Sequence, residues 1–274
     1  MTYKTILVHV DQSSHAAARI KAAAELAIAQ EAHLVGTAAT GISRYIYSDG
    51  AAFVGSVIDT LRQQAGQALD QFDEIARRLG VHSYERRLID DDPASALALQ
   101  ARYSDLVVVS QEDFGERSIG DAGDLPEYVM LNCARPVLMI PYAGKFEHIG
   151  RHVLIAWDGS MEATRAITSA IPLLKRARSV TVALFNPSAS DDAHGQQPGA
   201  DIGLYLARHG IRVEVAQETT ELDIGNALLS LAADKGSDLI VMGGYGHTRF
   251  REVLLGGVTL TVLRTMTVPV LMSH

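Results

Sequence analysis

Two turns in the second half of the chain carry residues suited to holding a small anionic ligand. The first is Ala156-Trp157-Asp158-Gly159-Ser160, where an apolar run ends in a carboxylate and a serine follows two residues later. Asp158 can face a ligand, or Asp158 and Ser160 can simply cap the helix that follows, and this turn alone does not separate the two. The second turn runs from Gly243-Gly244-Tyr245-Gly246-His247 to Gly256-Gly257-Val258-Thr259. Glycines directly after an apolar run let backbone approach a ligand closely. Gly256 and Gly257 place unhindered N–H groups at the start of the last helix, an arrangement that can cradle a phosphate. His247 could touch that phosphate when protonated, against the plainer reading of a surface-loop histidine. The counterpart of this turn in the first half, Gln111 to Glu127, lacks the glycine spacing and carries six acids against Arg117, a balance of −5. Gly244 to Gly257 has Arg249 and Arg251 against Glu252, or +1. Packed carboxylates oppose a triphosphate, so the asymmetry predicts one ligand site per chain, in the second half. Asp11 and Ser13, placed like Asp158 and Ser160, are then expected to be structural.

The elements that would position these turns come as two copies. KTILVHVD at 4 to 11 is echoed by RHVLIAWD at 151 to 158, an offset of 147. DLVVVS at 105 to 110 matches DLIVMG at 238 to 243, and RPVLMI at 135 to 140 matches VPVLMS at 268 to 273, both at an offset of 133. Three matches in the same order indicate duplication. The difference of 14 between offsets places extra residues in the first half, within 41 to 79. Apolar β-branched runs alternate with Ala- and Leu-rich helical stretches. The second half reads as strands over 151–157, 179–185, 211–216, 238–243 and 268–273, with helices over 160–177, 199–209, 222–236 and 257–266. The first half reads as strands near 4–10, 33–39, 81–89, 105–110 and 136–141, with a long helix over 51–79. Nearly continuous apolar strands suit parallel sheets covered on both faces. The expected fold is α/β, with two tandem doubly wound five-stranded parallel-sheet domains at 1–146 and 147–274. They are expected to pack with pseudo-two-fold symmetry through the terminal strands Pro136 to Ile140 and Pro269 to Ser273, covering two hydrophobic edges.

The spacing Gly243-x2-Gly246-x9-Gly256, followed by a small residue, resembles the nucleotide-binding signature of the universal stress protein family. The whole chain is similar to the tandem form of that family, with both initial strands ending near an Asp and both terminal strands following a proline. The resemblance implies an adenine nucleotide, ATP or AMP, with Mg²⁺ as an optional companion of ATP. It places Ala156 and Asp158 by the adenine or ribose, and Gly243, Gly246, His247, Gly256, Gly257 and Val258 around the ribose and phosphates. Gly257 stands where ATP binders of the family carry Ser or Thr, so a hydroxyl donor is replaced by backbone donors alone. The implied function is that of a stress-responsive regulatory binding protein and not an enzyme. A nucleotide-free interaction or small-ligand module and a slow ATP hydrolase are the alternatives.

Composition narrows the remaining classes. With 274 residues, 47% hydrophobic and 20% charged, the chain can bury a sizeable core. A formal net charge of −8 provides no large cationic field for nucleic acid. No apolar run approaches the roughly 20 residues that cross a bilayer, and no signal peptide opens the sequence, so a cytoplasmic protein without a membrane partner is expected. A homodimer is compatible with the pattern, and no protein partner can be named. Cys133 is the single cysteine and is expected to be buried packing, with no internal disulfide. None of the ten histidines falls in a metal-ligand spacing, and there is no GxSxG elbow or Walker A loop. Among carboxylates, only Asp158 is placed for the Mg²⁺ that phosphoryl transfer would need.

Overall fold

The computed structural model describes residues 2–42, 51–113, 115, 125–187, 197–245 and 257–274. The chain forms two compact units, Thr2–Tyr142 and Ala143–His274. The first contains β1 (Thr5–His9), α1 (Ala16–Gln30), β2 (His33–Ala39), α2 (Ala51–Leu79), β3 (Tyr84–Ile89), α3 (Pro93–Gln100), β4 (Leu106–Ser110), α4 (Leu125–Asn132) and β5 (Val137–Ile140). Its strands are parallel, in the order β3-β2-β1-β4-β5. The second contains β6 (His152–Ala156), α5 (Met161–Leu174), β7 (Ser179–Phe185), α6 (Ala200–Arg208), β8 (Glu214–Glu218), α7 (Ile224–Asp234), β9 (Leu239–Gly243), α8 (Val258–Thr265) and β10 (Val270–Ser273). It repeats the plan in the order β8-β7-β6-β9-β10, again parallel.

Burial explains the composition of the strands. Val107 and Val108 in β4, like Ile240 and Val241 in β9, are wholly buried, as expected for strands covered on both faces. In α1, the small side chains Ala16, Ala23 and Ala27 lie on the buried face and combine high helix propensity with a short reach. The long helix expected over 51–79 is α2. None of the helices described is long and apolar enough to cross a membrane.

The duplication extends to hydrogen bonds that register matching could not reveal. Asp105 accepts the backbone N–H groups of Lys4 and Thr5 at 2.7 and 3.0 Å. Asp238, at its offset of 133, accepts those of Gly150, Arg151 and His152 at 2.9 to 3.1 Å. In each unit a carboxylate at the entrance of the fourth strand holds the entrance of the first, satisfying donors that lie outside the ladder.

Two strands begin later than their apolar residues suggest. β3 starts at Tyr84 and not at Val81, and β8 starts at Glu214 and not at Ile211. Val81 and Ile211 each follow a left-handed glycine, Gly80 (φ +78°) and Gly210 (φ +79°). Their N–H groups donate back to Ala76 and Leu206, and both side chains are buried. These are Schellman ends, in which the apolar residue after the glycine packs on the helix it terminates. β8 instead runs on to Glu218, with the exposed character of an edge strand.

Candidate functional site

In each unit the connections from the first strand and from the fourth depart in opposite directions across the sheet, which opens a crevice between their carboxyl ends. In the second unit Ile155 lies opposite Val241, so the crevice falls between Ala156-Trp157-Asp158 after β6 and Gly243-Gly244-Tyr245 at the end of β9. The Tyr245 N–H donates to Thr259 Oγ1 at 3.1 Å, which ties the first turn of α8 to the residue two past β9. Five of the eight expected site residues are thereby placed: Ala156, Asp158 and Gly243 at the strand ends, and Gly257 and Val258 at the opening of α8. Gly246, His247 and Gly256 lie outside the described residues.

In the turn after β6 the two polar residues make different local contacts. Ser160 is the cap, its Oγ accepting the Ala163 N–H at 3.1 Å. Asp158 Oδ1 accepts the Ser160 N–H at 3.0 Å across Gly159 (φ +77°), yet the Asp158 side chain is exposed and no cation pairs with it among the described residues. At the other side of the crevice α8 starts from Gly257 without a side-chain cap. Gly243 has a packing reason that its sequence context did not reveal. A Cβ there would lie 2.6 Å from the Ala163 nitrogen, so the glycine admits the N-terminus of α5 against the end of β9.

The corresponding crevice of the first unit is built from different side chains. Arg19, 1% exposed, reaches from α1 to the ends of both flanking strands. Its Nε donates to the His9 carbonyl at 2.7 Å, Nη1 to Ser110 Oγ at 2.6 Å and Nη2 to Asp11 Oδ1 at 2.7 Å. Burial alone would raise the Asp11 pKa. The Arg19 charge, aided by His9 and by the Ser13 hydroxyl, outweighs it and holds the carboxyl well below the usual carboxylate range. Burial pushes His9 down to about 4, with Asp11 pulling up and Arg19 adding to the fall, so the imidazole is neutral at pH 7. Two further pairs tie strand ends to helices. Asp90 after β3 accepts Arg62 of α2 through both oxygens, at 2.6 to 3.2 Å. Asp113 after β4 meets His15 Nε2 at 2.9 Å.

Arg19 was not singled out in the sequence, although its position carried a signal. It falls three residues after Ala16 and four before Ala23 on the buried stripe of α1, whereas Lys21 and Glu25 lie on the exposed side and pair with each other. A cation on the apolar stripe of a helix requires a buried acceptor. Burial raises the Cys133 thiol, consistent with a packing role. Among the described residues no group of three or more His, Cys, Asp or Glu could hold a metal.

Two parallel sheets of the same strand order, each wound in both directions from its first strand, define a doubly wound α/β domain present twice in the chain. The comparisons with known proteins agree with that class and narrow it. The profile of the universal stress protein family matches residues 2–141 and again residues 150–274, so the chain belongs to that family, in tandem form. A universal stress protein of Synechocystis, Slr1230, is 28% identical over 158 residues, 56% of this chain and 51% of the relative. A universal stress protein of Methanocaldococcus jannaschii, MJ0577, is 43% identical over 44 residues, 16% of this chain and 27% of the relative. The chain thus spans about half and about a quarter of the lengths of these two relatives. Among solved structures, a universal stress protein from Archaeoglobus fulgidus shares the fold with a TM-score of 0.77 at 17% identity, covering 97% of this chain and 94% of that one. A functionally unknown protein of Pseudomonas aeruginosa, PA1789, has a TM-score of 0.61 at 17% identity, with 98% and 92% covered.

Proposed function

We propose that the second repeat binds one adenine nucleotide, ATP or AMP, in the crevice between β6 and β9, and that the chain is a stress-responsive regulatory binding protein. The observation that carries this reading is the exposed Asp158, placed at the switch point without a cation among the described residues. The residues present fit such a ligand. A carboxylate at this place can accept hydrogen bonds from ribose hydroxyls or the adenine amino group, and Ala156 and Gly243 keep the adjoining strand ends small. The start of α8 offers backbone N–H groups to phosphate, with no side-chain cap from its N-cap residue Gly257. Gly257 makes that phosphate contact a backbone matter, which favours a ligand whose affinity comes mainly from the adenosine end. If ATP enters with Mg²⁺, Asp158 is the carboxylate at hand. Hydrolysis would need a further water-positioning group, and no such role is assigned to any residue here.

Native mass spectrometry of the purified full chain tests occupancy, and calorimetry with ATP, AMP and pyrophosphate tests which end of the ligand is held. One nucleotide per chain is expected, lost in Gly246→Trp with the fold kept. Binding that survives this substitution would place the ligand elsewhere. A chain that takes up none of the three ligands would favour the nucleotide-free interaction module.

A further inference from the structure

The three residues that fill the first repeat's crevice correspond to alanines and a glycine in the second. At the repeat offsets of 147 and 133, His9, Arg19 and Ser110 align with Ala156, Ala166 and Gly243. The exchange is coordinated, because Arg19 touches both of the other two residues as well as Asp11. All three acceptors of its guanidinium belong to the ends of the two strands that flank the switch point, the place where a guest molecule is held in sheets of this kind. The surroundings are polar below it as well. Thr37 lies opposite His9 in the β1–β2 register and is fully buried, and its hydroxyl has no partner among the described residues. At the equivalent place β7 carries the apolar Ala183.

We propose that Arg19 is a built-in occupant of the first repeat: its guanidinium is seated at the switch point as a ligand would be, so the first repeat is a filled site that a small guanidinium-class cation would re-enter once the arginine is removed. The pair with Asp11 makes the occupant stable. The Asp11 side chain is 33% exposed, so the carboxylate can be reached from solvent, whereas the Arg19 side chain is 2% exposed. This inference does not rest on the nucleotide reading of the second repeat, and neither outcome of that test bears on it.

The full-length Arg19→Ala chain is melted in 20 mM guanidinium chloride and, in parallel, in 20 mM sodium chloride. Loss of a buried ion-pair partner should lower the melting temperature by roughly 10 °C. Guanidinium at this concentration, too dilute to denature, should restore at least half of that loss saturably, and the rescue should vanish in Asp11→Asn/Arg19→Ala. Equal melting temperatures in the two salts would overturn the proposal, because they would show that the space closes when the side chain is removed. Should the alanine variant fail to fold, Arg19→Cys places a thiol at the same point, with buried Cys133 as an internal control. A cationic methanethiosulfonate reagent should label that thiol at least tenfold faster than an anionic one. A thiol as unreactive as Cys133, or indifferent to reagent charge, would equally reject the filled-site reading.

Discussion

The two repeats share a frame and differ at their strand ends. Asp105 and Asp238 hold the entrances of β1 and β6 in the same manner, and the crossovers run in the same order. At the carboxyl ends the first repeat ties β1, β3 and β4 to helices through Asp11–Arg19, Asp90–Arg62 and Asp113–His15. The second repeat has no such pair at its strand ends among the described residues, and Asp158 is left to solvent. The frame and the contents of the crevice are therefore separable. The same sheet accommodates a buried charge cluster in one repeat and alanines and a glycine in the other.

The contrast can be broken most forcefully at Arg19. Arg19→Ala should cost about 3–5 kcal/mol by chemical denaturation, since Asp11 is left without its counter-charge, and an effect under 1 kcal/mol would show that the cluster is ornamental. The next effect is a pH dependence confined to the first repeat. The native pKa of His9, about 4, lies below its ordinary 6.5, so the unfolded chain binds the extra proton first. Stability is then full above pH 6.5 and falls as the pH drops towards 4, by about 3 kcal/mol at the lower limit. Asp11, whose native pKa is depressed, adds a further loss that begins as the pH falls through the ordinary carboxylate range and continues below it. His9→Gln should flatten the slope between pH 6.5 and 4 in denaturation followed by hydrogen exchange of the first unit. An unchanged slope would assign it to other groups.

In the second repeat the larger expected effect is steric. Gly243→Ala puts a methyl group against the α5 backbone and should cost about 2 kcal/mol, although its counterpart in the first repeat is a serine. Thermal denaturation of this one variant would show whether the glycine is needed for packing as well as for access. The smallest stability effect belongs to Asp158→Ala, within about 0.5 kcal/mol because the side chain is exposed. The same variant should weaken AMP more than pyrophosphate in calorimetry, so that a residue nearly silent in stability is visible in binding.

Much of this was legible in the sequence because it rests on patterns of short range. Apolar runs separated by helical stretches identified the parallel sheets, and repeated strings at two fixed offsets identified the duplication. The strand ends that carry Ala156, Asp158 and Gly243 followed from the same alignment. Strand starts were less legible where Val81 and Ile211 served helix ends instead, since an apolar residue after a glycine satisfies both descriptions. The role of Arg19 was hidden for another reason. Its partners lie 10, 8 and 91 positions away, and only the folded crossover brings Ser110 to the end of β1. A glycine at Gly243 reads in sequence equally as room for a ligand or for a helix, and only the structure shows that the α5 backbone approaches it.

The clamps at the strand entrances also set a schedule for the nascent chain. The Lys4 and Thr5 amides wait for a carboxylate 101 and 100 residues further along, and β1 acquires its second neighbour only when β4 emerges. At 5–20 residues per second that interval is roughly 5–20 s, long compared with the folding of an isolated helix. During it β1 can pair on one side only, with its other edge open to any strand that arrives. The second repeat passes through the same interval next, slightly shortened by its smaller separation of 86 to 88 residues. A protein assembled from two such units therefore presents an unfinished sheet edge to its surroundings twice in one round of synthesis.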